Sequence, residues 1–259
     1  MNFFFIGGGN CTHIIIEELK NIIENAYIFD VNENAYKNLK DKYRFIKNGK
    51  IDDLKNFKKK NINIDYVIEC ASIDAVLKYY KNVLLNDFKF IILSTGAFAN
   101  KIFFKDFFKA LKNSKSSVYI PSGAIAGIDL INSIYDKVNK ISLITQKPPK
   151  NLGFDENLKT TTTIFEGNVY KAIEKFPKNI NVAVTLALAV KDFQKVNVKI
   201  IADPSVKRNI HTIIIDSIAG NYKFAIENFP SPNGRTSYLA PLSICGIIKK
   251  YSNRFYTGV

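Results

Sequence analysis

Three consecutive glycines near the start of the chain stand where a phosphate-binding turn needs them. Gly7, Gly8 and Gly9 follow an apolar run at residues 3–6 and precede a segment whose isoleucines and leucines recur at helical spacing. Glycine allows a tight turn, lets the backbone approach a pyrophosphate, and opens a helix whose first N–H groups bind anions. This succession of strand, glycines and helix predicts dinucleotide binding, and the alternative is a purely structural turn. The residues of this turn expected to contact the cofactor are Gly7, Gly9, Asn10 and Cys11.

A carboxylate follows the glycines at the distance that this chemistry requires. Asp30 ends the second predicted strand, about 20 residues beyond the turn, where it can accept hydrogen bonds from the ribose hydroxyls. A carboxylate there repels a 2′-phosphate, so NAD is the expected cofactor, with NADP as the alternative. Ala71 ends another predicted strand and is a further candidate contact. The third glycine position of the pattern is Thr12, which departs from it.

The elements that position these residues alternate between strand and helix. Continuous apolar strands separated by amphipathic helices predict a parallel sheet covered on both faces, which is a Rossmann domain. Ser72 is the expected N-cap of a helix that runs through Leu85. The strand candidates are residues 3–6, 27–29, 65–71, 90–94 and 118–120, and a further helix is expected at 101–111.

The second half of the chain has a different pattern. Helices are expected around Ile128–Val138, at 181–190 and at 237–250, and Val196, Val198 and Ile200 share one face of a strand. Two alternating strands at 210–216 and 222–227 flank Gly220-Asn221 and predict a hairpin. The fold class is therefore α/β, with an N-terminal Rossmann parallel sheet and a second α/β domain containing a mixed or antiparallel sheet. We expect 1–124 with 236–259 to bind the dinucleotide, and 125–235 to provide substrate binding, catalysis and dimerisation.

Composition excludes several other classes of protein. The 259 residues are 47% hydrophobic and carry a net charge of +14, but the lysines are scattered and no aromatic-basic signature accompanies them. We therefore expect a lysine-rich solvated surface and no nucleic-acid partner, the alternative being a positive field that attracts anionic substrates and cofactors. No apolar run reaches the length of a membrane span and no signal peptide is evident, so a cytoplasmic protein is expected. The three cysteines lack the spacing of a disulfide framework or a zinc site.

Several strings in the second half resemble those of the L-aspartate dehydrogenase family of archaea and bacteria. The resemblance runs end to end along the chain, and the strings keep the family's order. They are PSGAIAG at 121–127, KPP at 147–149, FEG at 165–167, FPKNINVA at 176–183, IADP at 201–204, RNIH at 208–211, PSP at 230–232 and TSYLA at 236–240.

The resemblance implies a homodimer that oxidises L-aspartate to iminoaspartate, reversibly from oxaloacetate and ammonia, and feeds NAD biosynthesis. It places the catalytic histidine at His211 and cofactor contacts at Ala124 and Asn181. The substrate carboxylates need cations or N–H donors, for which Lys147, Lys207 and Arg208 are candidates, with Asn209 beside them. The chain departs from the family at Gln146, where an arginine is usual.

Other interpretations of the same residues stay open at the level of sequence. A histidine on a strand beside isoleucines is often structural, and Asn181 at a helix start is also a candidate cap. The other histidine, His13, is expected to be structural or solvated. Rival functions are another NAD(P)-dependent amino-acid-pathway reductase with the same two-domain plan, and a non-catalytic NAD(H) sensor.

Overall fold

The computed structural model describes residues 1–153, 158–176, 180–232 and 236–257. These residues form two compact units. Unit 1 comprises Met1–Pro121 and Ala240–Arg254, and unit 2 comprises Ser122–Leu239 and Phe255–Val259. Each unit contains one sheet, and the predicted α/β fold class is confirmed.

Unit 1 contains a six-stranded sheet in which all neighbouring strands are parallel. The strands are β1 (Asn2–Ile6), β2 (Asn25–Phe29), β3 (Ile46–Asn48), β4 (Tyr66–Glu69), β5 (Phe90–Ile92) and β6 (Val118–Tyr119). Their order is β3-β2-β1-β4-β5-β6. This order is that of dinucleotide-binding sheets. Successive strands are added on one side of β1 up to β3 and on its other side from β4 onward, and in such sheets ligands bind past the carboxyl ends of the two strands at this switch, here β1 and β4. Phe3, Phe4 and Phe5 are fully buried because helices cover both faces of the central strand.

Helices connect the strands of unit 1. They are α1 (Asn10–Leu19), α2 (Glu33–Lys42), α3 (Asp53–Lys59), α4 (Ile73–Leu84) and α5 (Lys101–Lys112). Ser72 caps α4, since its hydroxyl accepts a hydrogen bond from the Ala75 N–H at 3.1 Å, which confirms the expected cap. α2, α3 and β3 lie in a lysine-rich stretch that carries little hydrophobic periodicity, and the sequence analysis does not predict them.

Unit 2 contains a five-stranded mixed sheet. Its strands are β7 (Val138–Lys147), β8 (Thr162–Asn168), β9 (Val196–Ala202), β10 (Asn209–Ser217) and β11 (Gly220–Asn228), in the order β11-β10-β7-β9-β8. β7 and β9 run parallel, and the other neighbouring pairs are antiparallel. The helices of this unit are α6 (Ile128–Ile134), α7 (Val169–Lys175) and α8 (Asn181–Ala189).

Two details of unit 2 correct the sequence analysis. Val138 does not end a helix, because α6 stops at Ile134 and Val138 begins the central strand β7. The predicted hairpin is confirmed, but its two strands pair as far as Ser217 and Gly220. The turn is therefore at Ile218 and Ala219, and Gly220-Asn221 belongs to β11.

The C-terminal helix α9 (Leu239–Ser252) completes the core of unit 1. Its Ile244, Cys245 and Ile248 are buried in one hydrophobic cluster with residues of α1 and of the sheet, including Ile15 and Phe5. This packing explains why a segment so far along the chain belongs to the N-terminal unit. None of the helices in the described ranges is long and apolar enough to cross a bilayer.

Candidate active site

The first turn after β1 leaves no room for a side chain at Gly7. Its φ of +107° lies in the region that favours glycine, and a Cβ there would come within 2.9 Å of the Ala71 Cβ. The Gly7 N–H donates to the Phe29 carbonyl at 2.8 Å. The turn is therefore packed against the ends of both β2 and β4.

Gly9, unlike Gly7, has open space around it. A Cβ at Gly9 would meet nothing within 4 Å. Gly9 is the N-cap position of α1, which has no side-chain cap hydrogen bond and no acidic residue in its first turn. Beside it, the Asn10 Nδ2 is buried without a hydrogen-bond partner, and Cys11 is half-buried in the same turn. Open space, helix N–H groups and an unpartnered amide donor together fit the phosphates of a dinucleotide.

Thr12 is accommodated by hydrogen bonding. The side chain is fully buried, and its hydroxyl donates to the Gly7 carbonyl at 2.5 Å and lies 3.0 Å from the Cys70 Sγ. The hydroxyl therefore tethers α1 to the turn at the position where the usual pattern has a third glycine.

A cavity of about 250 Å³ opens past the carboxyl ends of β1, β2 and β4. Asp30 lines it, and its carboxylate accepts hydrogen bonds from the Gly8 N–H at 2.6 Å and the Asn32 N–H at 2.8 Å. Gly7 and Ala71 also line it, so the structure brings these three sequence-predicted residues together. The cavity is also lined by Asp74, Lys78 and Tyr79 of α4. The sequence analysis missed these three residues, although Ser72 as a cap places the first turns of α4 at this edge of the sheet.

Unit 2 carries a row of polar side chains at one end of an otherwise apolar sheet face. Ile213 and Leu143 are paired across β10 and β7, and the next pair on the same face is His211 and Thr145. His211 is only 6% exposed, and its Nδ1 lies 3.0 Å from the Thr145 hydroxyl. Burial, followed by the charge of Lys147, lowers the pKa of His211 to about 4.

The following row on this face is also polar. Lys147 is two residues past Thr145, is buried, and has a pKa lowered by burial to about 8. Asn209 is two residues before His211 and is paired with Asn228 of β11. The Asn209 Oδ1 is buried without a hydrogen-bond partner. The structure therefore groups Lys147, Asn209 and His211 and adds Thr145 and Asn228, which the sequence analysis did not single out.

The remaining candidates of unit 2 have different surroundings. Ala124 lies in the 121–127 loop, and its carbonyl accepts a hydrogen bond from the Asn228 Nδ2 at 2.8 Å, which anchors this loop. Asn181 is exposed and is the first residue of α8. The N-cap position of this helix is Ile180, which makes no side-chain cap hydrogen bond, so Asn181 is not the cap. Arg208 lies 3.4 Å from a Glu227 oxygen and 3.9 Å from the centre of the Phe229 ring. Residues 177–179 of the FPKNINVA string lie outside the described residues.

Two protein-family models match consecutive parts of the chain. Residues 7–121 match the NAD-binding domain of homoserine dehydrogenase, and residues 129–251 match the C-terminal domain of aspartate dehydrogenase. The glycine turn, the sheet order and these matches define a class of protein, the dehydrogenases with a nicotinamide dinucleotide-binding domain.

Comparison with individual proteins shows to which family of dehydrogenases the chain belongs. The chain is 47% identical to the L-aspartate dehydrogenase of Thermotoga maritima over 197 residues, which cover 76% of this chain and 80% of the relative. It is 41% identical to that of Methanococcus maripaludis over 201 residues, covering 73% of this chain and 74% of the relative. The crystal structure of the T. maritima aspartate dehydrogenase superposes with a TM-score of 0.83 and 37% identity, covering 99% of both chains. The chain belongs to the L-aspartate dehydrogenase family.

A more distant structure shares only the fold. A hyperthermophilic archaeal homoserine dehydrogenase superposes with a TM-score of 0.56 and 11% identity, covering 96% of both chains.

The two glycines of the turn are expected to respond differently to substitution. Gly7→Ala should lower the free energy of unfolding by about 2 kcal/mol or more, because the new Cβ meets Ala71 and the backbone is strained. Gly9→Ala should change it by less than about 1 kcal/mol but raise the Kd for NADH about tenfold or more, since its Cβ fills the open space. Urea unfolding and fluorescence titration measure the two effects. Unchanged NADH affinity in Gly9→Ala would contradict this phosphate site.

His211 should make the fold sensitive to mild acid. Because burial lowers its pKa from 6.5 to about 4, the unfolded chain binds a proton between these pH values that the folded protein does not. Stability is therefore lost as the pH falls through this window, by up to about 3 kcal/mol at this site. Urea unfolding at pH 7 and pH 4.5 should show a smaller loss in His211→Asn than in the unchanged protein. Equal losses in the two proteins would show that His211 is not buried as a neutral ring.

Proposed function

We propose that this protein oxidises L-aspartate to iminoaspartate, acting in the cytoplasm as a homodimer with NAD as the preferred hydride acceptor. Unit 1 binds the dinucleotide, and unit 2 supplies the groups that bind the substrate and move its proton. The substrate loses a hydride from Cα and a proton from its amino group, which leaves a C=N bond. Hydrolysis of this imine gives oxaloacetate and ammonia, whereas the intact imine feeds NAD biosynthesis.

The observation that carries this proposal is the polar end of the unit 2 sheet, where His211, Lys147 and Asn209 share one buried face. A buried lysine suits a substrate carboxylate, and an unpartnered amide oxygen suits an amino N–H. A dicarboxylic amino acid offers both partners. The same groups placed among isoleucines for structural reasons alone would leave the Asn209 oxygen unsatisfied.

His211 is the group we assign to proton transfer. Its Nδ1 is held by the Thr145 hydroxyl, so its Nε2 is the nitrogen that faces the substrate in this proposal. With a pKa of about 4 the ring is neutral at physiological pH and is able to accept a proton. An anionic substrate beside it raises this pKa, which favours proton transfer only once the substrate has bound.

A bound nicotinamide dinucleotide would supply the acceptor for the hydride that leaves Cα. Gly9, Asn10 and Cys11 are the proposed phosphate contacts, and Asp30 and Ala71 are the proposed contacts of the adenosine half. Ala124 and Asn181 are proposed as further cofactor contacts. Asp30 supports NAD over NADP because its carboxylate repels a 2′-phosphate, while Lys78 is a cation that also lines the cavity.

The decisive assay follows absorbance at the NADH band with purified protein. L-Aspartate with NAD should produce NADH, and NADP should support a lower kcat/KM. Homoserine, D-aspartate and L-glutamate are the matched controls, because each changes one feature of the substrate. Turnover of homoserine without turnover of L-aspartate would identify a different reductase, and NADH binding without any turnover would identify a sensor.

In the same assay His211→Ala should lower kcat by about a hundredfold or more, because it removes the proton acceptor. The Kd for NADH should stay unchanged, since the proposed dinucleotide contacts lie elsewhere. Thr212→Ala is the control, because Thr212 is the next residue of β10 and points to the other face of the sheet. Near-normal turnover in His211→Ala would remove this residue from the mechanism.

The homodimer is supported by the other face of the unit 2 sheet. Ile214 is 39% exposed there, and Ile144 and Ile201 of the neighbouring strands are partly exposed. These isoleucines lie among polar residues of the same face, and exposed apolar side chains of this kind suit contact with a second copy of the chain related by twofold symmetry.

Ile214→Glu should shift the protein from dimer to monomer in sedimentation velocity runs, because the charge would be buried in the dimer. The monomer should tolerate it, since Lys223 is paired across the strands from this position. Ile218→Glu is the control, as Ile218 lies in the hairpin turn and is 79% exposed. A monomeric unchanged protein, or a dimeric Ile214→Glu variant, would contradict this interface.

A further inference from the structure

A carboxylate lies fully buried at the carboxyl end of β4, where most residues of the sheet are apolar. Glu69 is 0% exposed and stands between Ile6 of β1 and Ile92 of β5 in the register of the sheet. An aliphatic side chain would fill this position without the cost of removing a carboxylate from water. The presence of a glutamate therefore needs a reason other than packing.

The reason lies in the four hydrogen bonds that Glu69 accepts. Its Oε1 accepts from the Ala71 N–H at 2.9 Å, the Ser72 N–H at 3.0 Å and the Ser94 hydroxyl at 2.8 Å. Its Oε2 accepts from the Ser94 N–H at 3.0 Å. Burial raises the pKa of the Glu69 carboxyl, although the hydrogen bonds from Ser94, Ala71 and Ser72 act in the opposite direction. One side chain thus fixes the backbone that follows β4 and ties it to the backbone that follows β5.

The backbone that Glu69 holds is part of the cavity wall. Ala71 and Ser72 both line the cavity of unit 1. Ala71 is also the residue against which Gly7 packs so closely that a Cβ would not fit between them. A small displacement of residues 71 and 72 would therefore change both the cavity and the support of the glycine turn.

We propose that Glu69 is a positioning residue for the nicotinamide dinucleotide, which it serves by holding the Ala71–Ser72 backbone against the glycine turn and linking it to Ser94. The inference rests on the proposed dinucleotide site in unit 1 and is independent of the substrate. Glu69 contacts neither cofactor nor substrate, and it acts through the main chain that forms the cavity wall.

The test compares Glu69→Gln with Asp65→Asn. Asp65 lies just before the amino end of β4 and accepts a hydrogen bond from the Asn2 N–H at 2.7 Å, so the same chemical change is made away from the cavity. In Glu69→Gln an NH₂ group replaces one carboxylate oxygen and so faces at least one of the N–H or O–H donors that bind Glu69. Two donors cannot bind each other, and the loops that carry them are displaced. We expect a rise of about tenfold or more in the Kd for NADH with Glu69→Gln, and the Kd of the unchanged protein with Asp65→Asn.

Thermal unfolding is measured on the same samples to separate positioning from general stability. A purely structural role would lower the Tm while the folded molecules kept the NADH affinity of the unchanged protein, and this result would overturn the proposal. If Glu69→Gln does not fold, Ser94→Ala decides, because it removes only the hydroxyl donor and leaves the main-chain bond. A raised Kd in Ser94→Ala supports the proposal, and an unchanged Kd overturns it.

Failure of the proposed function has a different signature. If the unchanged protein binds NADH but does not oxidise L-aspartate, the assignment of the substrate fails and the role of Glu69 stands. If the unchanged protein does not bind NADH, the dinucleotide site and the role of Glu69 fail together.

Discussion

The close approach of two backbone segments, at Gly7 and Ala71, is the constraint on which unit 1 depends. These segments follow the adjacent parallel strands β1 and β4, where the strand order of the sheet places its binding crevice. Because no Cβ fits between them, the turn is compact and the following helix starts close to the sheet. The Thr12 hydroxyl then joins α1 to the Gly7 carbonyl, and the Asp30 carboxylate holds the Gly8 N–H. Both contacts stabilise the turn, and the space beside Gly9 stays open.

In unit 2, polar side chains lie at one end of the packed apolar face of the sheet. Its inner sheet face is apolar through the Ile213–Leu143 row and becomes polar at the His211–Thr145 row. The change from apolar to polar is abrupt because neighbouring side chains on one face of a strand are only two residues apart in the chain. His211 therefore has Ile213 and Leu143 on one side and Lys147 on the other, which explains both its burial and its low pKa.

The features that the sequence predicted correctly are those set by local chemistry. The glycine turn, the Ser72 cap and the hairpin of β10 and β11 each depend on residues close together in the chain. The start of β7 was missed because Val138 continues the helical spacing of Ile128 and Ile131, whose helix α6 ends at Ile134. The rest of β7 was missed because its buried face ends in Thr145 and Lys147. Polar residues in buried strand positions break the alternation on which prediction depends. Lys78 and Tyr79 were missed because their position depends on which side of α4 faces the sheet edge.

The nearness of His211 and Lys147 has a thermodynamic consequence for ligand binding. Both pKa values are lowered by burial, so both groups release protons more readily than they do in water. A dicarboxylate that binds beside them reverses part of this effect, and the protein then takes up protons from the buffer. The heat of binding should consequently vary with the ionisation enthalpy of the buffer. Affinity for an anion at this face is thus coupled to the acidity of the surrounding solution.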